Sequence, residues 1–248
     1  MRRSRAFLLG LTLLLAAGPA RAAGGVHLTW GDCALQGAGQ PVQAFACDTD
    51  LGSEVLYCGL VMPAPTDSVL GLELTVDIQH SAPVLPDWWR FNVAGCRSGS
   101  LGADTDFGQV STCQEMWQAP AAGGVLSYVV GMPRGGANQA GVLIGFSLPS
   151  GQLRTLDATS MYYAARILIA NDGTTTGCGG CEDAACLVLN SIRVLRPPRP
   201  DGVPSGDVVV TTPGAGSGNW ASWQAATANC AAVPVRNMTW GAVKSLYR

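Results

Sequence analysis

Alternation with a period of two runs along nearly the whole chain and confines it to β-structure. From position 70 the even residues Leu70, Leu72, Leu74, Val76 and Ile78 are apolar, while Gly71, Glu73, Thr75, Asp77 and Gln79 take the other parity. Successive side chains of a strand point to opposite faces, so this pattern predicts one strand with a buried and a wetted face. Val142, Ile144, Phe146 and Leu148 repeat it against Gly141, Gly145 and Ser147. Met161, Tyr163, Ala165, Ile167 and Ile169 make a third long strand. Residues 125–130 and 187–195 are apolar on both parities over part of their length, which predicts central strands. Further strands are expected at 26–30, 53–62, 88–94 and 207–212.

Turn signals separate these runs: Pro63-Ala64-Pro65, Ala82-Pro83, Gly135-Gly136, Pro149-Ser150-Gly151 and Asn171-Asp172-Gly173. About nine strands with such punctuation, and almost no helical periodicity, predict an all-β fold. The expected architecture is a two-sheet antiparallel β-sandwich, jelly-roll-like. The α/β alternation of a doubly wound sheet is missing.

The first residues obey a different rule. Arg2, Arg3 and Arg5 precede an apolar run over 6–17, and Ala20-Arg21-Ala22 supplies a small-x-small cleavage site, so 1–22 reads as a signal peptide. The run is shorter than the roughly 20 residues of a spanning helix. No later stretch holds 18 uninterrupted apolar residues, so no membrane span is expected in the mature chain. Cleavage would remove four of the 15 basic residues and none of the 17 acidic ones. An acidic, charge-poor surface lacks the footprint for a phosphate backbone, which argues against nucleic acid. The expected location is secreted, extracellular or periplasmic.

All nine cysteines lie beyond residue 22, as suits a compartment where thiols oxidise and stay oxidised. Spacing suggests local pairs, Cys33 with Cys47 and Cys96 with Cys113. Cys178, Cys181, Cys186 and Cys230 then form a second group of four, whose pairing the sequence leaves open. Cys178-x2-Cys181 also suits a tetrahedral zinc or a redox pair, but in an exported chain two disulfides are the plainer reading. Cys58 is the odd one. It shares parity with Leu56, Leu60 and Met62, which predicts a buried, inert thiol.

The mature chain divides into a β-sandwich domain over 23–212 and a tail over 213–248. Trp220, Trp223, Trp240 and Tyr247 are more aromatics than a disordered tail carries, so the tail is expected to dock on the sandwich. Thr239 can cap a short C-terminal helix with Trp240, Val243 and Tyr247 on one face. The rival reading is a detachable tail for a partner.

Trp30-x-Asp32-Cys33, Phe45-Ala46-Cys47, Pro86-Asp87-Trp88-Trp89, Leu187-x-Leu189-Asn190-Ser191-Ile192 and the ending Thr239-Trp240-Gly241-x-Val243-Lys244-Ser245-Leu246-Tyr247-Arg248 together resemble a set of uncharacterised secreted bacterial β-sandwich proteins. The resemblance spans most of the mature chain and implies no activity. It implies eight paired cysteines, with Cys58 the departure.

Catalytic chemistry finds little purchase. Only His27 and His80 exist, both expected at the surface, and no Gly-x-Ser-x-Gly elbow occurs. Glu73, Asp77, Asp87, Glu115 and Asp157 could serve as paired carboxylates, but nothing in their spacing pairs them. Asp48-x-Asp50 and Asp104-x-Asp106 place hard oxygen ligands at alternate positions, so a structural calcium stays open, although neither run completes a loop signature. No other cofactor or metal is expected.

The surface candidate is Asp87-Trp88-Trp89-Arg90. On a strand the two rings must point to opposite faces, so one can fill the core while the other offers a flat platform for sugar rings or partner side chains. The plainer alternative covers both rings. The expectation is therefore a secreted, non-catalytic β-sandwich that binds or assembles at or outside the cell surface, with an unknown protein or carbohydrate as partner. A carbohydrate-binding module using an exposed Trp is the first alternative, and a secreted hydrolase the second.

Overall fold

The computed structural model describes residues 24–34, 39–106, 108, 113–118, 121–132, 135–149, 151–198, 206–216, 218–224 and 230. The expected signal peptide and the terminal helix over 239–247 lie outside the described residues. In chain order the strands are Gly25–Trp30 (β1), Val42–Gln43 (β2), Ser53–Val61 (β3), Thr66–Val69 (β4), Gly71–His80 (β5), Leu101–Asp104 (β6) and Gln114–Glu115 (β7). Ala122–Val130 (β8), Gln139–Ser147 (β9), Arg154–Leu156 (β10), Met161–Ala170 (β11), Ala185–Leu195 (β12), Val208–Val210 (β13) and Trp220–Trp223 (β14) follow.

They form two main sheets. One runs β1-β3-β11-β6, with β7 beside β11; the other runs β2-β14-β12-β5-β9-β8, with β13 beside β12. β10 and β4 make a two-stranded ribbon. The long neighbours pair antiparallel, and one continuous buried core takes side chains from both sheets, a sandwich-like arrangement. Leu72, Leu74, Val76 and Ile78 enter it from β5, and Val142, Ile144 and Phe146 from β9. Alternation fixes that register because a slip of one residue would turn each of these side chains into water.

Three expectations give way to the structure. Residues 125–130 are not in a central strand: β8 pairs only with β9 among the described residues and ends its sheet. The odd parity read along Met161 to Ile169 breaks at a bulge between Tyr163 and Ala165, so Tyr162 stands opposite Leu60 while Ala165 and Ile167 stand opposite Cys58 and Leu56. A bulge leaves one residue unpaired and shifts the parity beyond it. Residues 88–94 form no strand. Asp87–Trp89 is one turn of 3-10 helix entered through Pro86. Within the stretch read as a tail, Trp220–Trp223 is a strand of the larger sheet, between β12 and β2.

The disulfides correct the local pairing. Cys33 joins Cys113, Cys47 joins Cys181, Cys96 joins Cys178 and Cys186 joins Cys230. Three of them span 80 or more residues, so sheet order rather than nearness in sequence decides which thiols meet. Cys58 is the free thiol, buried in β3, and burial pushes its pKa up to about 12, which keeps it protonated.

Candidate functional site

The Asp87–Arg90 segment sits at the end of the sandwich where three staples gather. Successive side chains of a 3-10 turn diverge by about 120°, so both tryptophans can find the core, which a strand would forbid. Trp88 and Trp89 are each 0% exposed, with ring centroids 5.0 Å apart, edge to face. Trp223 of β14 lies 4.7 Å from Trp88 and 5.5 Å from Trp89, and Trp30 and Phe45 pack on its far side. The Trp88 indole N–H donates to Thr174 Oγ1 (3.0 Å), and that of Trp223 to Cys181 O (2.6 Å). Neither Trp88 nor Trp89 is therefore exposed as a platform. Asp87 and Arg90 alone reach the surface there, as a loose ion pair at 3.6 Å.

Arg97, which the sequence reading passed over, holds this end together. Its side chain is buried, with the guanidinium carbon 3.6 Å from the Trp88 ring centroid. Nε donates to Asp172 O (2.7 Å) and Nη1 to Trp88 O (3.0 Å). Burial lowers its pKa to about 10 against the pull of Asp172 and Asp50, so it stays charged at neutral pH. Cation–π contact in a desolvated place is worth about 2 kcal/mol. The neighbouring Cys96–Cys178 bridge fixes the two loops it spans.

Most of the remaining candidates for chemistry make structural contacts. Both histidines are buried, not at the surface as expected. His27 packs against Gly214 and Gly59, and burial lowers its pKa to about 4. His80 accepts from the Ala82 N–H through Nδ1 (3.0 Å). Burial lowers its pKa too, against a smaller opposing pull from Asp183. Asp157 accepts from Thr159, Ser160 and Tyr162, and these bonds hold its carboxyl well below the usual range. Asp104 and Asp106 both engage Arg166, at 2.6 and 3.0 Å. Asp50 accepts from the Thr175 N–H (2.7 Å). Glu73 stands 3.9 Å from Arg193 across the sheet. Asp77 is buried, while Asp48 is exposed and Glu115 half-buried.

Among the described residues, the long edge without a paired strand is that of β8. Its nine residues, Ala-Gly-Gly-Val-Leu-Ser-Tyr-Val-Val, carry neither charge nor proline. Val125 and Tyr128 turn toward the core, and the Tyr128 hydroxyl donates to Trp89 O. Leu126 is 60% exposed, Val129 44% and Val130 38%. Gly145 of the neighbouring strand leaves room for the Leu126 side chain to lie flat; a Cβ there would come within 2.7 Å of it. Gly141 faces Val129 in the register, and the Met132 side chain lies over it. At the start of the strand the sheets approach each other, with Ala103 O near Gly124.

No family model, no curated protein and no solved structure matches the chain. The four disulfides speak for an oxidising, extracytoplasmic setting, and no helix among the described residues is long and apolar enough to cross a membrane.

Proposed function

We propose that this chain is a secreted, non-catalytic, jelly-roll-like β-sandwich that binds or assembles at or outside the cell surface, and that it does so by strand addition at β8. One observation carries the reading: β8 has the composition of a central strand and the position of an edge strand. An uncharged edge without proline, such as β8 beyond its bulge, is a template for another chain, and proteins that must stay apart blunt theirs with charge, proline, bulges, brevity or a cover. Three other edges among the described residues are blunted in those ways. β2 has two residues, β6 has four and ends on Asp104, and β1 is covered by the segment around Pro213. Main-chain hydrogen bonds to an added strand supply affinity, and the exposed Leu126 and Val129 supply contact area.

Strand addition fits a molecule whose histidines and whose Asp104, Asp106 and Asp157 are held in structural bonds, and it needs no exposed Trp. The test is a photo-crosslinking residue at Leu126 of the exported protein in its secreting cell, with the same residue at Val209 of β13 as the exposed control. An adduct specific to position 126 supports the reading. Equal yields at both positions, or none at 126, would remove it.

A further inference from the structure

We infer that the occupant of the β8 edge is β8 of a second copy of this chain, paired antiparallel about a two-fold axis at Val129; this rests on the reading of β8 as the docking edge. Gly131 N–H donates to Gln139 O (2.7 Å), and Val129 stands opposite Gly141 in the antiparallel register. Backbone groups of a strand alternate in direction, so those of Gly131 and Val129 turn toward β9 and those of Tyr128 and Val130 turn outward. The outward pair is symmetric about Val129. Rotation through that axis sets Tyr128 of one copy against Val130 of the other, and the reverse, with both N–H···O=C bonds exchanged in each pair. Val129 then meets its own equivalent in a non-hydrogen-bonded pair, with Cβ atoms roughly 4.5–5.5 Å apart.

Three features favour a copy of the same chain over an unrelated strand. Residues 126–130 hold no charge, so nothing repels an identical sequence laid alongside. The bulge between Val125 and Ser127 and the approach of Ala103 to Gly124 confine the usable edge to the stretch centred near Val129, where the symmetric register lies. Val129 is 44% exposed, so its side chain is free to meet the partner's valine, while the Met132 side chain takes the space over Gly141. The pair consumes the edge that makes it, and the blunted edges among the described residues offer no second junction, so the assembly closes as a two-fold dimer and does not grow into a filament. A short strand pairing falls below the roughly 1,200 Å² of a standard stable interface, so the dimer is weak and concentration-dependent.

Sedimentation of the mature full chain over nanomolar to high micromolar concentration tests this, with Val129→Lys and Val209→Lys as variants whose melting curves confirm folding. The expected result is a reversible dimer, weakened at least about tenfold by Val129→Lys, which sets two lysines face to face, and changed less than about twofold by Val209→Lys. A photo-crosslinker at position 129 should give an adduct of twice the chain mass. A monomer at every concentration, together with an adduct to a different protein, overturns the second copy and leaves the β8 edge as a docking site. A monomer with no adduct overturns both.

Discussion

β1 and β8 each end a sheet, yet they meet their surroundings in opposite ways. Along β1 the outward N–H groups of Val26, Leu28 and Trp30 donate to Thr212, Gly218 and Gln40, at 3.0, 3.3 and 2.8 Å, and all six residues are buried. The covering chain is held down nearby by the Cys186–Cys230 bridge, and Cys33 ties the exit of β1 to Cys113. β8 and β9 carry no cysteine and no cover among the described residues. The contrast shows that the fold has the means to close an edge and applies them to one side. On the reading proposed above, the apolar strand left open beside such closure is a surface for another chain.

The largest effect should come from loosening the closed side. Replacing Cys96 and Cys178 together by Ala removes a bridge across 82 residues and should cost about 4 kcal/mol, read from urea unfolding. If the loss is under about 1 kcal/mol, the aromatic end is held by Trp88, Trp223 and Arg97 without its staple, and the division between the two sides is softer than described.

Acid should act on the same side. An unfolded histidine takes up its proton near pH 6.5, whereas buried His27 resists until about pH 4. Stability is therefore full above about pH 6.5 and falls as the pH drops toward 4, by about 3 kcal/mol from this residue. His80 contributes in the same direction. Unfolding at pH 7 and pH 4.5 checks the slope, and His27→Gln should flatten it.

Gly214→Ala would drive a methyl group into the His27 ring where the cover lies on β1. Overpacking of that kind should cost about 2 kcal/mol, measured as a fall in melting temperature. Smallest of all, Val129→Lys on the open side should change monomer stability by less than about 0.5 kcal/mol. A large loss there would mean that Val129 is packed, and the two edges would then be alike.

β5, β9 and β12 were legible in the sequence because each has one parity that is apolar for its whole length or a run apolar on both. The same rule located Cys58, whose neighbours Leu56, Leu60 and Met62 are buried with it. Disulfide pairing was not legible, since contacts between residues 80 to 134 apart depend on which strands become neighbours. Trp88 and Trp89 misled because a two-residue aromatic step fits a strand and a 3-10 turn equally well until Pro86 and the loop after it are placed. Arg97 gave no signal, as a lone arginine among Cys, Ser and Gly reads as surface. The error over β8 is the instructive one. Residues apolar on both parities do predict burial on both sides, and the described residues supply only one of them.

Hydrogen exchange of the individual backbone amides at two protein concentrations bears most directly on that point. The Val26 and Leu28 amides, bonded to Thr212 and Gly218, should be protected equally in dilute and concentrated protein. The Tyr128 and Val130 amides should exchange freely when dilute and become protected as concentration rises. Protection of Tyr128 and Val130 at every dilution would show that the chain closes this edge by itself, and free exchange at every concentration would show that no second copy closes it; either result contradicts the account.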